Sequence, residues 1–235
     1  MRLISIPENK YDDYRLDVIF QGYKWDPQFS DHNTIAKHII VISEKEHAEL
    51  ESLTERLEKE TIQAEQVLNN HLQLIKPLAL PGKIRHELTR MKNYQANQHI
   101  RLMRFDFHPT SESGWAVSEV NSDVPGGFAE ASIMPQIAAA LFPDKDYWYK
   151  NFGDMMTNAI VEKTKPGGCI MFVHCTSYSD DRQEMQFLGD KLENMGFHII
   201  YAAADHLRFE NHKAISILDG NMREVDAIFR FTPLE

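Results

Sequence analysis

Two pairs of polar residues interrupt the apolar stretch RFDFHPTSESGWAVSEVNSD, residues 104–123. Arg104 and Asp106 stand two apart, and Glu119 and Asn121 repeat that spacing after the turn-like HPTSESG. In an extended chain alternate side chains share a face. Arg104 and Asp106 are therefore expected on one side of a first strand, with Met103, Phe105 and Phe107 on the other. On a second strand Glu119 and Asn121 are expected on one face, together with Trp115 and Val117. If the two strands pair as a hairpin, the four polar groups converge. Two carboxylates and an amide oxygen form a hard ligand set suited to Mg²⁺, which is usually shared with substrate phosphates. An arginine beside it grips a phosphoryl oxygen or a developing oxyanion. Asp123-Val-Pro-Gly126-Gly127 then leads into a helix, where two glycines let backbone N–H groups close on an anion. A solvated hairpin face with a cross-strand Arg–Glu pair uses the same residues, and spacing alone leaves both readings open.

These residues need elements to position them. HIRLMRFDF and WAVSEVN read as strands, and FAEASIMPQIAAALF as a helix beginning after Gly127. Upstream, Ser43 and Glu46 form a capping box. Leu50, Leu53, Leu57, Ala64, Leu68, Leu72 and Ile75 trace one stripe of a long helix that is expected to end near Lys76, before Pro77. IKPLALPGK is then a loop, and a shorter helix is expected over 83–94. Residues 1–42 give no clear pattern: TIAKHIIVI fits a strand or a short buried helix, and YKWDPQFSD is rich in turn formers.

YWYKNFGDMMTNAIVEK is expected to be helical. From Lys165 the texture changes: KPGG makes a turn, CIMFVHC a buried strand, DDRQEMQFLGDKLENM a helix closed by Gly196, and HIIYAAA a second strand. AISIL, a turn at Asp219-Gly220, and VDAIFRF follow. This βαβ beginning implies an α/β layer with some parallel pairing. The expected division is 1–164, a helical and β-hairpin part carrying the polar motif, and 165–235, an α/β domain.

The chain has 235 residues, 43% hydrophobic and 26% charged, enough for a substantial core. The net charge of −10, with no basic patch interleaved with aromatics, argues against nucleic acid as a partner. No window approaches a membrane span, and the N-terminus lacks the apolar core of a signal peptide. Cys169 and Cys175 border one apolar run, as expected of reduced core thiols in a cytoplasmic protein. The histidines show no zinc spacing.

The run RFDF…SEVNSDVPGGFAEAS resembles the motif region of glutathionylspermidine synthase and its relatives, whose ATP-grasp fold is circularly permuted. That family shows an Arg-Phe-Asp strand, a strand ending Glu-x-Asn-x-Asp-x-Pro, and then a helix, and the spacing here matches at each position. The resemblance is strongest over residues 99–132 and continues more loosely to 235, where the α/β segment resembles the pre-ATP-grasp domain. It implies a mixed α/β fold: part of an ATP-grasp core joined to a βαβ pre-ATP-grasp-like domain.

It also implies that Asp106, Glu119 and Asn121 hold Mg²⁺, that Arg104 contacts the transferred phosphoryl group, and that Asp123, Gly126 and Gly127 lie against substrate. Asp180 and Asp181 resemble the family's acidic substrate-binding pair, although two acids at a helix N-terminus also serve as simple dipole caps. Val124 and Gly126 stand where synthases tend to carry small hydroxyl residues, a departure that bears on whether glutathione is the acid. The family's ATP-holding lysines follow the pre-ATP-grasp domain, so a chain stopping at VDAIFRFTPLE is expected to be a fragment lacking the main ATP-clamping lobe.

The function implied is ATP-dependent carbon–nitrogen ligation through an acyl phosphate. Its partners would be a small-molecule or peptide carboxylate and an amine, with ATP as co-substrate. Two alternatives stand beside it. One is a non-catalytic pre-ATP-grasp binding module, the other an unrelated Rossmann-like enzyme using 165–235. His174 and Cys175 together suggest a nucleophile, but a buried structural thiol is the better account of a cysteine closing an apolar strand.

Overall fold

The structure, a computed structural model, describes residues 1–91, 99–112 and 114–233. Helices and strands are mixed and the sheets are small, an α/β arrangement. The chain gathers into two compact units. Met1 and Ile42–Asn121 form the first, and Arg2–Val41 with Ser122–Glu235 the second. Residue 165, the boundary expected from sequence texture, falls inside the second unit.

In the first unit, α2 (Glu44–Asn70) begins at the expected capping box. Ser43 Oγ accepts from the Glu46 N–H at 3.2 Å, while the Glu46 carboxylate accepts from the Ser43 N–H at 2.8 Å. Leu50, Leu53, Leu57 and Leu68 are half-buried along one stripe, whereas Ala64 is exposed. The helix stops six residues before the expected Lys76. His71 leaves helical geometry (φ −129°, ψ 63°), and Leu72–Leu78 tighten into a 3₁₀ turn where the end of the long helix and the start of a loop were expected. Pro77 sits inside that turn, where its missing N–H would leave an α-helical bond unmade. A further helix, α3, spans Gly82–Arg90; the expected end of this helix at residue 94 lies outside the described residues. Strands β5 (Arg104–Pro109) and β6 (Trp115–Asn121) close the unit as an antiparallel hairpin.

The second unit holds an element that sequence patterning missed. Helix α1 (Glu8–Phe20) buries Tyr14 and Val18 in a cluster with Ile6, Ile35, Ile137 and Ala138. Its contact face is built from tyrosines as well as aliphatic side chains, so the periodic signal is faint. It is flanked by β1 (Arg2–Ser5) and β4 (His38–Val41), an antiparallel pair that resolves TIAKHIIVI in favour of a strand. Between them, β2 (Gln28–Phe29) and β3 (His32–Asn33) form a minimal hairpin whose turn residues Ser30 and Asp31 have φ of 46° and 64°.

Helices α4 (Phe128–Ala140) and α5 (Phe152–Lys163) follow, α5 starting five residues later than the YWYKN run suggested because Asn151 caps it. The α/β layer is a parallel sheet in the order β12 (Ala227–Phe231), β7 (Cys169–His174), β8 (His198–Ala202), with α6 (Ser179–Asn194) linking β7 to β8. All six residues of β7 are buried, as expected of a central strand covered on both faces. Met171 and Val173 pack with Ala202 and Val225 on one side, while Phe172 contacts Tyr201 and Phe229. An antiparallel sheet places β10 (Lys213–Ser216) between β9 (Leu207–Glu210) and β11 (Arg223–Val225). VDAIFRF therefore divides between two sheets.

Candidate functional site

The hairpin register brings the four polar residues of the first unit together. Arg104 lies opposite Asn121, and Asp106 opposite Glu119. Arg104 binds Asp106 through both ends of its fork, Nε to Oδ1 at 2.7 Å and an Nη to Oδ2 at 3.0 Å. The same guanidinium stands 3.7 Å from Glu119 Oε1. The hydrogen bond from Arg104 holds the Asp106 carboxyl below the usual aspartate range, so it is ionised at neutral pH.

One expectation for this hairpin is corrected. Strict alternation puts Trp115 and Val117 on the face of Glu119, but a β-bulge interrupts the register after Asp106. Phe107 pairs with Val117 and Pro109 with Trp115, which leaves Ser118 as the extra residue. Its hydroxyl bonds His108 Nε2 at 2.7 Å and the Asp106 carbonyl at 3.3 Å. The bulge thus returns Trp115 and Val117 to the face of Phe105 and Phe107.

Two carboxylates directly opposite each other repel, by a few tenths to about 1 kcal/mol in a sheet. Asp106 and Glu119 occupy that arrangement with one guanidinium beside them, a donor set with room for more positive charge. Each Asp106 oxygen accepts one N–H and keeps a second lone pair. Among the described residues no group of three or more His, Cys, Asp or Glu side chains gathers as a metal site. The hairpin offers two carboxylates and an amide, which fits a Mg²⁺ that takes its remaining ligands from water and phosphate.

The other expected site residues lie in the second unit. Asp123 accepts from Arg230 of β12, through Oδ1 at 2.6 Å and its carbonyl at 3.3 Å. Gly127 adopts φ +91°, a left-handed conformation that favours glycine, and starts α4 without a side-chain cap of its own. The acceptor at this helix terminus belongs to the protein: the Glu184 carboxyl group accepts from the Gly127 N–H and, at 2.9 Å, from the Ala129 N–H. The N–H of Gly127 that the sequence reading offered to an anion is thus taken by Glu184. Gly126 packs on the same carboxylate, a Cβ there falling 3.7 Å from Glu184 Oε1.

Asp180 and Asp181 occupy the first turn of α6. Asp180 is exposed, 3.7 Å from Lys24 Nζ. Burial, and then Asp180, raise the Asp181 carboxyl, while the Cys175 N–H opposes that shift. His174 ends β7 fully buried, and neither ring nitrogen has a hydrogen-bond partner among the described residues. Desolvation holds its pKa down, so the ring is neutral. Cys169 is buried and Cys175 half-buried, both as free thiols.

Sequence reasoning missed Glu184, Glu130, Lys24 and Arg230. A signal for the first was present: Glu184 shares a helical stripe with Phe187 and Leu188, which makes it a carboxylate at a core position.

The family model for the glutathionylspermidine synthase preATP-grasp domain matches residues 6–235. The chain belongs to this family. A search of curated proteins returns no match. The match runs through the hairpin and the parallel sheet alike, so the α/β layer is part of a family domain and not an unrelated Rossmann-like enzyme. The family is one of ATP-dependent ligases, and a ligase-related role follows for the chain. No described helix is long and apolar enough to cross a membrane.

Proposed function

We propose that the chain serves an ATP-dependent carbon–nitrogen ligase of the glutathionylspermidine synthase type. The carrying observation is the register of β5 and β6, which sets Arg104 against Asn121 and Asp106 against Glu119 on one face. In this reading a substrate carboxylate oxygen attacks the γ-phosphorus of ATP, ADP leaves, and an acyl phosphate forms. An amine then adds to the acyl carbon, inorganic phosphate departs with the C–O bonding pair, and the nitrogen loses a proton to leave an amide.

Phosphoryl transfer needs little covalent help from the protein; positioning and charge stabilisation carry it. Arg104 donates to the transferred phosphoryl oxygens as their charge redistributes, and Asp106 fixes the guanidinium plane through the two bonds it already makes. Glu119 supplies a second negative neighbour that orients the same fork. Asp106, Glu119 and Asn121 would hold Mg²⁺, which supplies neutralisation of phosphate charge. Asp123, Asp180 and Asp181 are proposed to meet the amine or acid substrate. The carboxylate character of all three suits a cationic partner such as an amine.

The test is Mg²⁺- and ATP-dependent phosphate release with paired panels of carboxylic acids and amines. Release only when acid, amine, ATP and Mg²⁺ are all present supports the proposal. Measurable nucleotide binding without release for any pair favours a non-catalytic binding module.

A further inference from the structure

Glu184 is 2% exposed, and the proposed chemistry does not use it. It reaches from α6 to the start of α4, where the first N–H groups of a helix lack intrahelical partners. A carboxylate there does from a distant helix what an N-cap aspartate does locally. Its neighbour is Glu130 on α4, close enough to share a side-chain hydrogen bond. Glu130 Oε1 accepts from Gln183 Nε2 at 2.9 Å and stands 3.3 Å from Lys24 Nζ. Glu130 Oε2 is buried and has no donor among the described residues.

Two carboxyl groups in contact cannot both ionise without large repulsion, so Glu184, whose carboxyl is the one raised, keeps its proton at neutral pH and can donate it to Glu130. With one proton the pair carries a single negative charge, balanced by Lys24. Of the other charged groups nearby, Asp180 shares that lysine, while Asp154 of α5 and Asp123 have cations of their own in Lys191 of α6 and Arg230 of β12. His174, at the end of β7, is neutral. Desolvation, followed by the charge of Glu130, raises the Glu184 carboxyl to about 8.

The turn between Asn121 and α4 is thus held at both ends by the α/β layer. Arg230 takes Asp123 at its start, and Glu184 takes Gly127 and Ala129 at its close. We propose that Glu184 is a positioning residue for the Ser122–Gly127 turn, and that Glu130 completes it by sharing one proton. The consequence for catalysis rests on the ligase reading, because this turn directly follows Asn121 and carries Asp123.

The experiment is amide NMR of the full chain from pH 5.5 to 9.5, on the wild type, E184Q and E130Q. In the wild type the Gly127 and Ala129 amide shifts should titrate together. E130Q should move that midpoint down by at least one pH unit. E184Q should abolish the titration and raise hydrogen exchange at least ten-fold at the amide that the glutamine carbonyl leaves unbonded. Amides that do not titrate, or that titrate unchanged in E184Q, overturn the proposal. Should E184Q fail to fold, E130Q decides, since it leaves both Glu184 bonds in place. Phosphate release measured in parallel separates the two readings. A wild type inactive with every substrate pair removes the ligase reading and leaves the amide result standing. An E184Q enzyme with unchanged KM and kcat overturns the role in positioning.

Discussion

Replacing Glu184 by glutamine should change how stability responds to pH, and the sign follows from the direction of the shift. Burial and Glu130 raise the folded-state pKa from 4.5 to about 8, so between those values the folded chain binds more protons than the unfolded one. Stability from this group is complete below pH 4.5 and is lost as the pH climbs through about 8. At about 1.36 kcal/mol per decade of proton affinity, raising the pH from 6 to 9 should remove on the order of 2–3 kcal/mol. For a chain of this size that corresponds to a fall in Tm of roughly 5–10 °C. Glutamine cannot ionise, and its amide can donate to the orphan Glu130 Oε2 while its carbonyl accepts one of the two backbone N–H groups. The assay is thermal unfolding of both proteins at pH 6 and pH 9, taking the difference in Tm so that titrations common to both cancel. The difference should move in favour of E184Q by about 5–10 °C on going to pH 9. An equal difference at the two pH values, or a wild type that gains relative stability at pH 9, would refute the reasoning.

Asp106→Asn should reduce Mg²⁺-dependent phosphate release by about 10²–10³-fold while leaving Tm nearly unchanged, because the residue is partly exposed on an open hairpin. A comparable loss of folding would assign the pair a structural role instead, and circular dichroism distinguishes the two. Gly189→Ala should destabilise strongly, by about 1–3 kcal/mol or more, since its Cβ would fall 1.8 Å from the buried Tyr201 hydroxyl. Partial relief of that loss in Gly189→Ala/Tyr201→Phe, measured by urea unfolding, would locate the clash, the ring Cζ remaining 2.7 Å from the new Cβ. Ser43→Ala should cost about 1 kcal/mol by removing the reciprocal cap of α2, read as a shift in denaturation midpoint.

The hairpin was legible because two-residue periodicity survives in a strand whatever surrounds it, and four polar groups at matched spacing announce a face. Its bulge was not, because Ser118 is one residue among several that could have been squeezed out, and the choice is made by Ser118 bonding His108 and the Asp106 carbonyl. The capping box of α2 was readable for the opposite reason: both of its bonds are local. The end of α2 was not, since His71 departs from the helix within an unbroken hydrophobic stripe. Helix α1 was hidden by its composition, with Tyr11 and Tyr14 standing where aliphatic residues would have declared the stripe.

At Gly126-Gly127 the partner of the backbone is Glu184. A glycine pair before a helix reports that something approaches the backbone closely, and the helix dipole reports that it is negative. Neither says whether that charge arrives with a ligand or from the chain. Here it comes from Glu184, which lies fifty-five residues beyond Ala129, and only the packing of α6 against α4 brings it there. An external anion would dissociate and exchange. An internal carboxylate remains, and its strength depends on a proton shared with Glu130. The glycines therefore mark a junction: they let the turn behind Asn121 be gripped by the α/β layer, with Gly126 against Glu184 and Phe231 and Phe128 edge-on to the same ring at 5.8 Å. A side chain at Gly127 would have to adopt φ +91°, so substitution there strains the turn even though the space is open. The glycine pair that the sequence marks is, in the folded chain, the place where the Ser122–Gly127 turn is fastened.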